Sequence, residues 1–341
     1  MVAPVARRSL ASRAVLAGLA VLWGCAETPL VPEPLPPTPA PVPSDADLLS
    51  LLPATAASIL VVDVAALRDS VWAKDLLASA ATLKSRGGPE ARGFHEIKDA
   101  REWIIYRIHS EIRGEATLEL AFARYDRKRV EQAFVATHGA ARPTRFGLTE
   151  GMWDGTSAVV FPTRKTILFG PAWAVRLACR VVRGHDPPLR GERWLEQVAY
   201  ALDGESGQWG KKPAVSLALR ATDATRAELG RVLPEAAELE WLGGRLHLGA
   251  EANLTLVARA PDRGAASRLS KRVAEETEAL AQRASVVSLG LGPVLEAATV
   301  RASGARTVLK ARVSSEDRAR VSERLAALAA LLSKSTAGAR P

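Results

Sequence analysis

Thr117-Leu-Glu-Leu-Ala-Phe-Ala-Arg-Tyr125 alternates apolar and polar side chains with period two, and Asp126 ends the alternation. Val130, Ala133, Phe134 and Thr137 then recur at helical spacing. A period of two turns one face of a strand toward a core, and a period near 3.6 does the same for a helix. An aspartate fits between them, because its side-chain oxygen accepts an N–H of the first helical turn that would otherwise go unpaired. The stretch predicts a strand, a cap and an amphipathic helix.

The same order recurs along the chain. Val215-Ser-Leu-Ala-Leu-Arg-Ala-Thr222 leads to Asp223 and then to Leu229, Val232 and Leu233. Leu254-Thr-Leu-Val-Ala-Arg-Ala260 leads to Asp262 and then to Leu269, Val273 and Leu280. Val308-Leu-Lys-Ala-Arg-Val313 leads to Ser314 and Ser315, with Val321, Leu325, Leu328 and Leu332 beyond. Ser58-Ile-Leu-Val-Val-Asp-Val64, followed by Leu67 and Val71, is another copy, with Asp63 inside or at the end of its strand. The intervals between copies are uneven, which argues against a fixed-period solenoid and for a duplicated domain.

Tight turns join many of these strands. Asp154-Gly155 separates Leu148–Trp153 from Ser157–Phe161, and Asp-Gly is a strong two-residue hairpin signal. Pro162-Thr-Arg-Lys165 turns into Thr166–Gly170, Gly243-Gly244 reads as a turn between Glu238–Leu242 and Arg245–Gly249, and Ser303-Gly304 divides Leu295–Arg301 from Arg306–Val313. Neighbouring strands joined this way pair antiparallel, which argues against a doubly wound parallel sheet. The expectation is an α+β fold of duplicated strand–helix–hairpin units, with mainly antiparallel sheets and helices packed on one face. Residues 48–203 form the first half and 213–335 the second. Gly204, Gly207 and Gly210 mark the break, and 336–341 is a disordered tail.

The chain opens differently. Arg7, Arg8 and Arg13 make a positive leader, and Ala14 to Gly24 carry no charge. That run suits a signal peptide and is too short to span a bilayer. Leu22-Trp23-Gly24-Cys25 follows. It resembles the lipobox of bacterial lipoproteins, with leucine and glycine where that family has them and a tryptophan where a small residue is usual. The resemblance implies that residues 1–24 are a cleaved signal peptide and that Cys25 becomes a lipidated amino terminus carrying a diacylglyceryl group and palmitate-type acyl chains. One acyl chain binds a membrane marginally and two bind it stably. Ala26, where an aspartate would mark retention at the inner membrane, favours the outer membrane facing the periplasm.

Residues 25–47 form a tether. Eight prolines fall between Pro29 and Pro43, enough to prevent helix or sheet. Extended as polyproline II, the 18 residues from Ala26 to Pro43 would reach roughly 55 Å. Beyond the tether the layout resembles uncharacterised bacterial envelope lipoproteins built from repeated α+β units, through Leu52-Pro53, the strand Ile59–Val64 and Ser70-Val71-Trp72. That likeness concerns the fold and brings no catalytic residue.

Composition narrows the function. The chain has 341 residues, is 48% hydrophobic and carries a formal charge of +9. Arginine is abundant and asparagine occurs once, at Asn253, a bias that inflates basic charge without a polyanionic partner. Arg124, Arg127, Lys128 and Arg129 are the densest basic group, with neither aromatic interleaving nor a known module around them, so nucleic acid is not an expected partner. Of the two cysteines, Cys25 would carry lipid, leaving Cys179 as a small core residue.

Catalytic patterns are sparse. His95, His109, His138, His185 and His247 show no metal-ligand spacing and read as surface or helix-end residues. His109-Ser110-Glu111 lacks the cysteine pair that a zinc deaminase needs. Gly204-Glu-Ser-Gly207 misses nucleophile-elbow spacing. Gly290-Leu-Gly-Pro293 lacks the lysine of a phosphate loop and reads as a turn before a strand. Glu275, Glu276 and Glu278 share a solvated helix face with Lys271 and Arg272, while Glu111 and Glu115 flank a turn after a helix. Trp72, Trp103, Trp173 and Trp194 occupy core positions, and Trp209 is the exposed one. No catalytic, metal or cofactor residue is nominated. The sequence points to a lipid-anchored envelope protein with a non-catalytic binding or structural role, touching the membrane through its anchor and an envelope protein or glycan through its body. The alternatives are an envelope-polymer hydrolase with a site assembled from distant residues, or an accessory subunit of an envelope transport or assembly complex.

Overall fold

In a computed structural model, described over residues 48–73, 92–110, 112–206, 212–288 and 290–324, one antiparallel sheet of 12 strands organises the molecule. The fold is α+β. The strands are β1 (Ala56–Asp63), β2 (Ala100–Ser110), β3 (Gly114–Ala123), β4 (Arg142–Phe146), β5 (Thr149–Trp153), β6 (Ser157–Val160), β7 (Thr166–Pro171), β8 (Val215–Arg220), β9 (Trp241–Leu248), β10 (Ala252–Arg259), β11 (Thr299–Ser303) and β12 (Arg306–Val313). The main helices are α1 (Val64–Asp69), α2 (Arg127–His138), α3 (Ala172–Val182), α4 (Arg193–Ser206), α5 (Asp223–Val232) and α6 (Arg263–Ala281).

The spatial order, β11-β12-β10-β9-β8-β1-β2-β3-β7-β6-β5-β4, contains one plan twice. An opening strand runs into a helix, then a hairpin, then a second helix, and a later strand pairs with the hairpin's outer strand, after β4–β6 in the first copy and after β11 in the second. The first copy is β1, α1, β2–β3 and α2, closing with β7 on β3. The second is β8, α5, β9–β10 and α6, closing with β12 on β10. The copies meet where β1 pairs antiparallel with β8.

Caps start the helices as the polar residues after each strand require. Asp63 ends β1 and accepts from Ala66 N at 2.8 Å, Asp126 accepts from Lys128 N and Arg129 N, and Asp262 accepts from Ala265 N. For α5 the cap is Thr222, and Asp223, expected in that role, sits one residue inside the helix.

Helices occupy both faces of the sheet. On the first face, Ile104, Tyr106 and Ile108 of β2 join Ile59, Ala218, Val257 and Val308 against α3, α4 and a 3-10 turn at Leu48–Leu51. On the second, Trp103, Ala121 and Ala123 pack on Val130 and Phe134 of α2, and Ala221 and Ala258 pack with Leu229 and Leu269 of α5 and α6. The cause lies in strands such as β2, where Trp103, Ile104, Ile105 and Tyr106 are consecutive and apolar, so both sides of a central strand need cover.

Gly243-Gly244 is not a turn. Both glycines lie mid-strand in β9, and the β9–β10 hairpin turns instead at Gly249–Glu251, where Gly249 N donates to Glu251 O at 2.8 Å. The pair admits close neighbours on opposite faces: a β-carbon at Gly243 would stand 2.5 Å from Val198 Cγ1, and one at Gly244 would stand 2.6 Å from Leu256 Cδ2. Gly290 does turn the chain, with φ +73°, but into the short helix Gly292–Glu296 rather than directly into a strand. Glu115 is the second residue of β3, in a strand–strand hairpin with no helix before it.

Candidate functional site

Cys25 and the proline tether lie outside the described residues. The described chain begins where the tether would join the body, and that junction is firmly held. Leu48, Leu51 and Leu52 are buried on the first face. Leu189 N donates to Leu52 O at 2.7 Å, and Ala54 N donates to Pro187 O at 3.1 Å.

The histidines do not converge. His95 caps the short helix Glu96–Asp99, His185 follows α3 on the surface, and His138 ends α2 with Nδ1 2.6 Å from Asp154. His109 and His247 depart from the surface or helix-end expectation. His109 is exposed but lies within β2, and His247 is buried in β9. Among the described residues, no group of three His, Cys, Asp or Glu side chains could hold a metal ion.

Charged groups are paired as the fold needs them. Arg272 reaches Glu275 and Glu276 along α6, and Arg107 meets Glu115 at 3.1 Å across the β2–β3 hairpin. Lys212 bridges Asp63 at 2.8 Å and Glu102 at 3.2 Å where β1, β2 and β8 come together. Burial alone would raise the Asp63 carboxyl, but the Lys212 ammonium and the Ala66 N–H outweigh it and hold it below its ordinary value. Cys179 is buried among apolar neighbours, which pushes its thiol up to about 12. That is the opposite of an activated nucleophile.

Trp72, Trp103 and Trp194 are buried, as are Trp153 and Trp241, whereas Trp173 is only partly covered against the first-face core. Trp209 lies outside the described residues.

A largely aliphatic row crosses the second face of the sheet. Reading directly opposed residues across the sheet gives the row Glu119, Ile105, Leu60, Leu217, Gly244, Leu256, Leu309. Opposed residues share a face. Three packed clusters surround the middle of this row. Ile105 belongs to the cluster built on Phe94 and Trp103. Leu242, one step along β9, belongs to the cluster under α5 and α6. Leu246, one step the other way, belongs to the cluster of Trp72 and Val321. Leu60, Leu217, Leu256 and Leu309 belong to no packed cluster of the described residues and are half-buried rather than buried. At the Ile105 end, Arg92 holds Glu119 at 2.5 Å and lies over the rings of Trp103 and Phe169. No sequence pattern announces this strip, because it depends on the register between strands distant in the chain.

No protein-family profile matches the chain, and no curated protein matches it. Among solved structures it is similar to three crystal forms of the protein TP0453. Form III aligns with a TM-score of 0.51 at 12% identity, over 84% of this chain and 98% of that one. Form IV aligns with a TM-score of 0.47 at 13% identity, over 83% and 96%, and form I with 0.44 at 12%, over 83% and 97%. At such identity the likeness to form III is one of fold. Among the described residues, no helix is long and apolar enough to cross a membrane.

Proposed function

We propose that this protein is a lipid-anchored component of the bacterial cell envelope, with Cys25 as the acylated amino terminus, and that its body is a binding module rather than an enzyme. The stretch Leu22-Trp23-Gly24-Cys25, set between an uncharged run and a proline tract, carries the anchor. The outer membrane, facing the periplasm, is the favoured location, since Ala26 lacks the acidic side chain that marks the alternative. The binding reading rests on the anchor, the tether and a sequence that offers no catalytic motif. The envelope partner that the body meets would be a protein, a glycan or a lipid.

Replacing Cys25 by serine tests the anchor. Metabolic labelling with a palmitate analogue should disappear, and the protein should move from the membrane to the soluble fraction. A Cys25→Ser protein of unchanged mass that still sediments with membranes would end the proposal.

A further inference from the structure

An open sheet has two edges, and this one treats them differently. Among the described residues, β4 and β11 each have a neighbouring strand on one side only. Pro143 is the second residue of β4 and has no N–H to offer an incoming strand. Proline is a usual guard against edge-to-edge pairing. The other edge, Thr299-Val-Arg-Ala-Ser303 of β11, contains no proline, and Thr299, Arg301 and Ala302 are exposed.

The repeated plan shows what fits outside β11. In the first copy the closing strand, β7, forms a hairpin with β6. In the second copy the closing strand, β12, forms the matching hairpin with β11. The outer side of β6 is taken by β5, antiparallel, and Ala158, Val159 and Val160 of β6 are fully buried. Between α6 and β11 the described chain has the short helices Ala284–Ser288 and Gly292–Glu296 and no strand. The position that β5 fills in one half is therefore open in the other, and an antiparallel strand is what it accepts.

A second copy of this chain has such a strand to give. Its β4 edge is guarded, which leaves β11 to pair with β11. Antiparallel pairing of identical strands creates a two-fold axis, here at Arg301. Thr299 then faces the partner's Ser303, and Val300 faces the partner's Ala302, a hydroxyl pair and an apolar pair. Arginine faces arginine at the axis, but Glu205 Oε2 lies 2.6 Å from Arg301 Nη2 within each copy, so the two cations meet already matched. The axis stands perpendicular to the sheet, so both copies turn the same face toward one membrane.

We infer that two copies of this chain associate through β11, continuing the sheet from one copy into the next. This goes beyond the binding-module reading and does not depend on Cys25. Five residues on each side make a small contact, so the association is reversible.

Cysteine cross-linking in the full chain carrying Cys25→Ser tests the inference, because the remaining natural thiol, Cys179, is buried. Arg301→Cys lies on the axis, and mild oxidation should convert it to a disulfide-linked dimer. Ser303→Cys stands four residues, about 14 Å along the strand, from its counterpart, which is beyond disulfide reach. It should stay monomeric alone and cross-link when mixed with Thr299→Cys. Sedimentation of the natural chain should show a concentration-dependent dimer. Val300→Lys combined with Ala302→Lys sets like charges opposite each other and should weaken that dimer by roughly ten-fold or more. Melting temperatures confirm that each variant is folded. Any of four results would overturn the inference: a folded Arg301→Cys protein that stays monomeric on oxidation, equal cross-linking of Ser303→Cys alone, a natural dimer undiminished in the double-lysine variant, or Arg301→Cys linking in cells to a different protein instead of a second copy.

Discussion

Gly243 on β9 and Val198 on α4 are as close as a strand and a helix can be: a β-carbon added at Gly243 would stand 2.5 Å from Val198 Cγ1 and 3.2 Å from Leu202 Cδ1. Helix α4 follows the first copy of the repeated plan in sequence, yet it lies on β8, β9 and β10 of the second. Gly243 is therefore where one half is pressed onto the other. Gly243→Val should destabilise the protein by about 1–3 kcal/mol through overpacking, and Gly243→Ala by less. Urea unfolding of the two variants checks the order. Equal stability of Gly243→Val and the natural protein would mean that α4 is held elsewhere.

The far end of α4 is fastened by charge. Glu205 is buried, with Arg301 Nη2 at 2.6 Å and Lys310 Nζ at 3.2 Å, and Lys310 also donates to the Glu205 carbonyl at 2.6 Å. Asp203 pairs with Arg245 on the neighbouring strand. Cations suit the carbonyl end of a helix, so the arrangement serves α4 as well as the ion pairs. Glu205→Ala should cost about 1–3 kcal/mol. That is less than the loss of a fully buried pair, because Arg301 and Lys310 keep access to water. Thermal unfolding of Glu205→Ala beside Arg301→Ala and the double variant gives the coupling directly. Additive losses would show that Glu205 and Arg301 do not act together.

Much of this was legible from residue patterns, and what was not shares one physical cause. The alternation around Leu118, the cap at Asp126 and the Asp154-Gly155 turn are local, and each appears as read. Asp154 Oδ1 accepts from Thr156 N at 2.7 Å and Ser157 N at 2.6 Å, which is why that turn is so well marked. Gly243-Gly244 misleads because a glycine that makes room for α4 and a glycine that permits a turn are the same residue in sequence. The aliphatic strip escapes for a related reason. Leu60, Leu217, Leu256 and Leu309 each look like ordinary strand residues, and only the β1–β8 and β10–β12 registers bring them side by side. Helices on both faces were likewise hidden, since a hairpin signal fixes strand direction and says nothing about which side is covered.

Stability should respond to acid through two carboxylates. Burial would raise Asp63, but Lys212 and the Ala66 N–H hold it low. Burial would also raise Asp154, but the N–H groups of Ser157 and Thr156, the Thr156 hydroxyl and His138 hold it low. A carboxylate whose folded value lies below its unfolded one, near 4, stabilises the fold fully above that pH and ceases to do so as pH falls through the folded value. The melting temperature should therefore lose these contributions only below about pH 4. Asp154→Asn should cost about 1 kcal/mol at neutral pH and flatten the decline in acid. An acid decline unchanged in both Asp154→Asn and Asp63→Asn would assign it to other groups.

Cys179 joins the core to the question of the amino terminus. Its thiol, pushed up to about 12 by burial among Ala174, Val175 and the strands beneath α3, stays protonated and inaccessible at pH 8. Ellman's reagent should find no reactive thiol in the folded protein and should react once unfolding exposes Cys179. The count in denaturant then reports on Cys25, the chain's other cysteine. A lipidated terminus leaves Cys179 as the sole reactive group, whereas a second equivalent shows that Cys25 is bare. Cys179→Ala removes the core thiol while deleting one buried atom, at a cost of about 1 kcal/mol. In that variant, material purified from membranes should give no signal in denaturant. A full equivalent there would mean that the protein is held at the membrane by something other than Cys25.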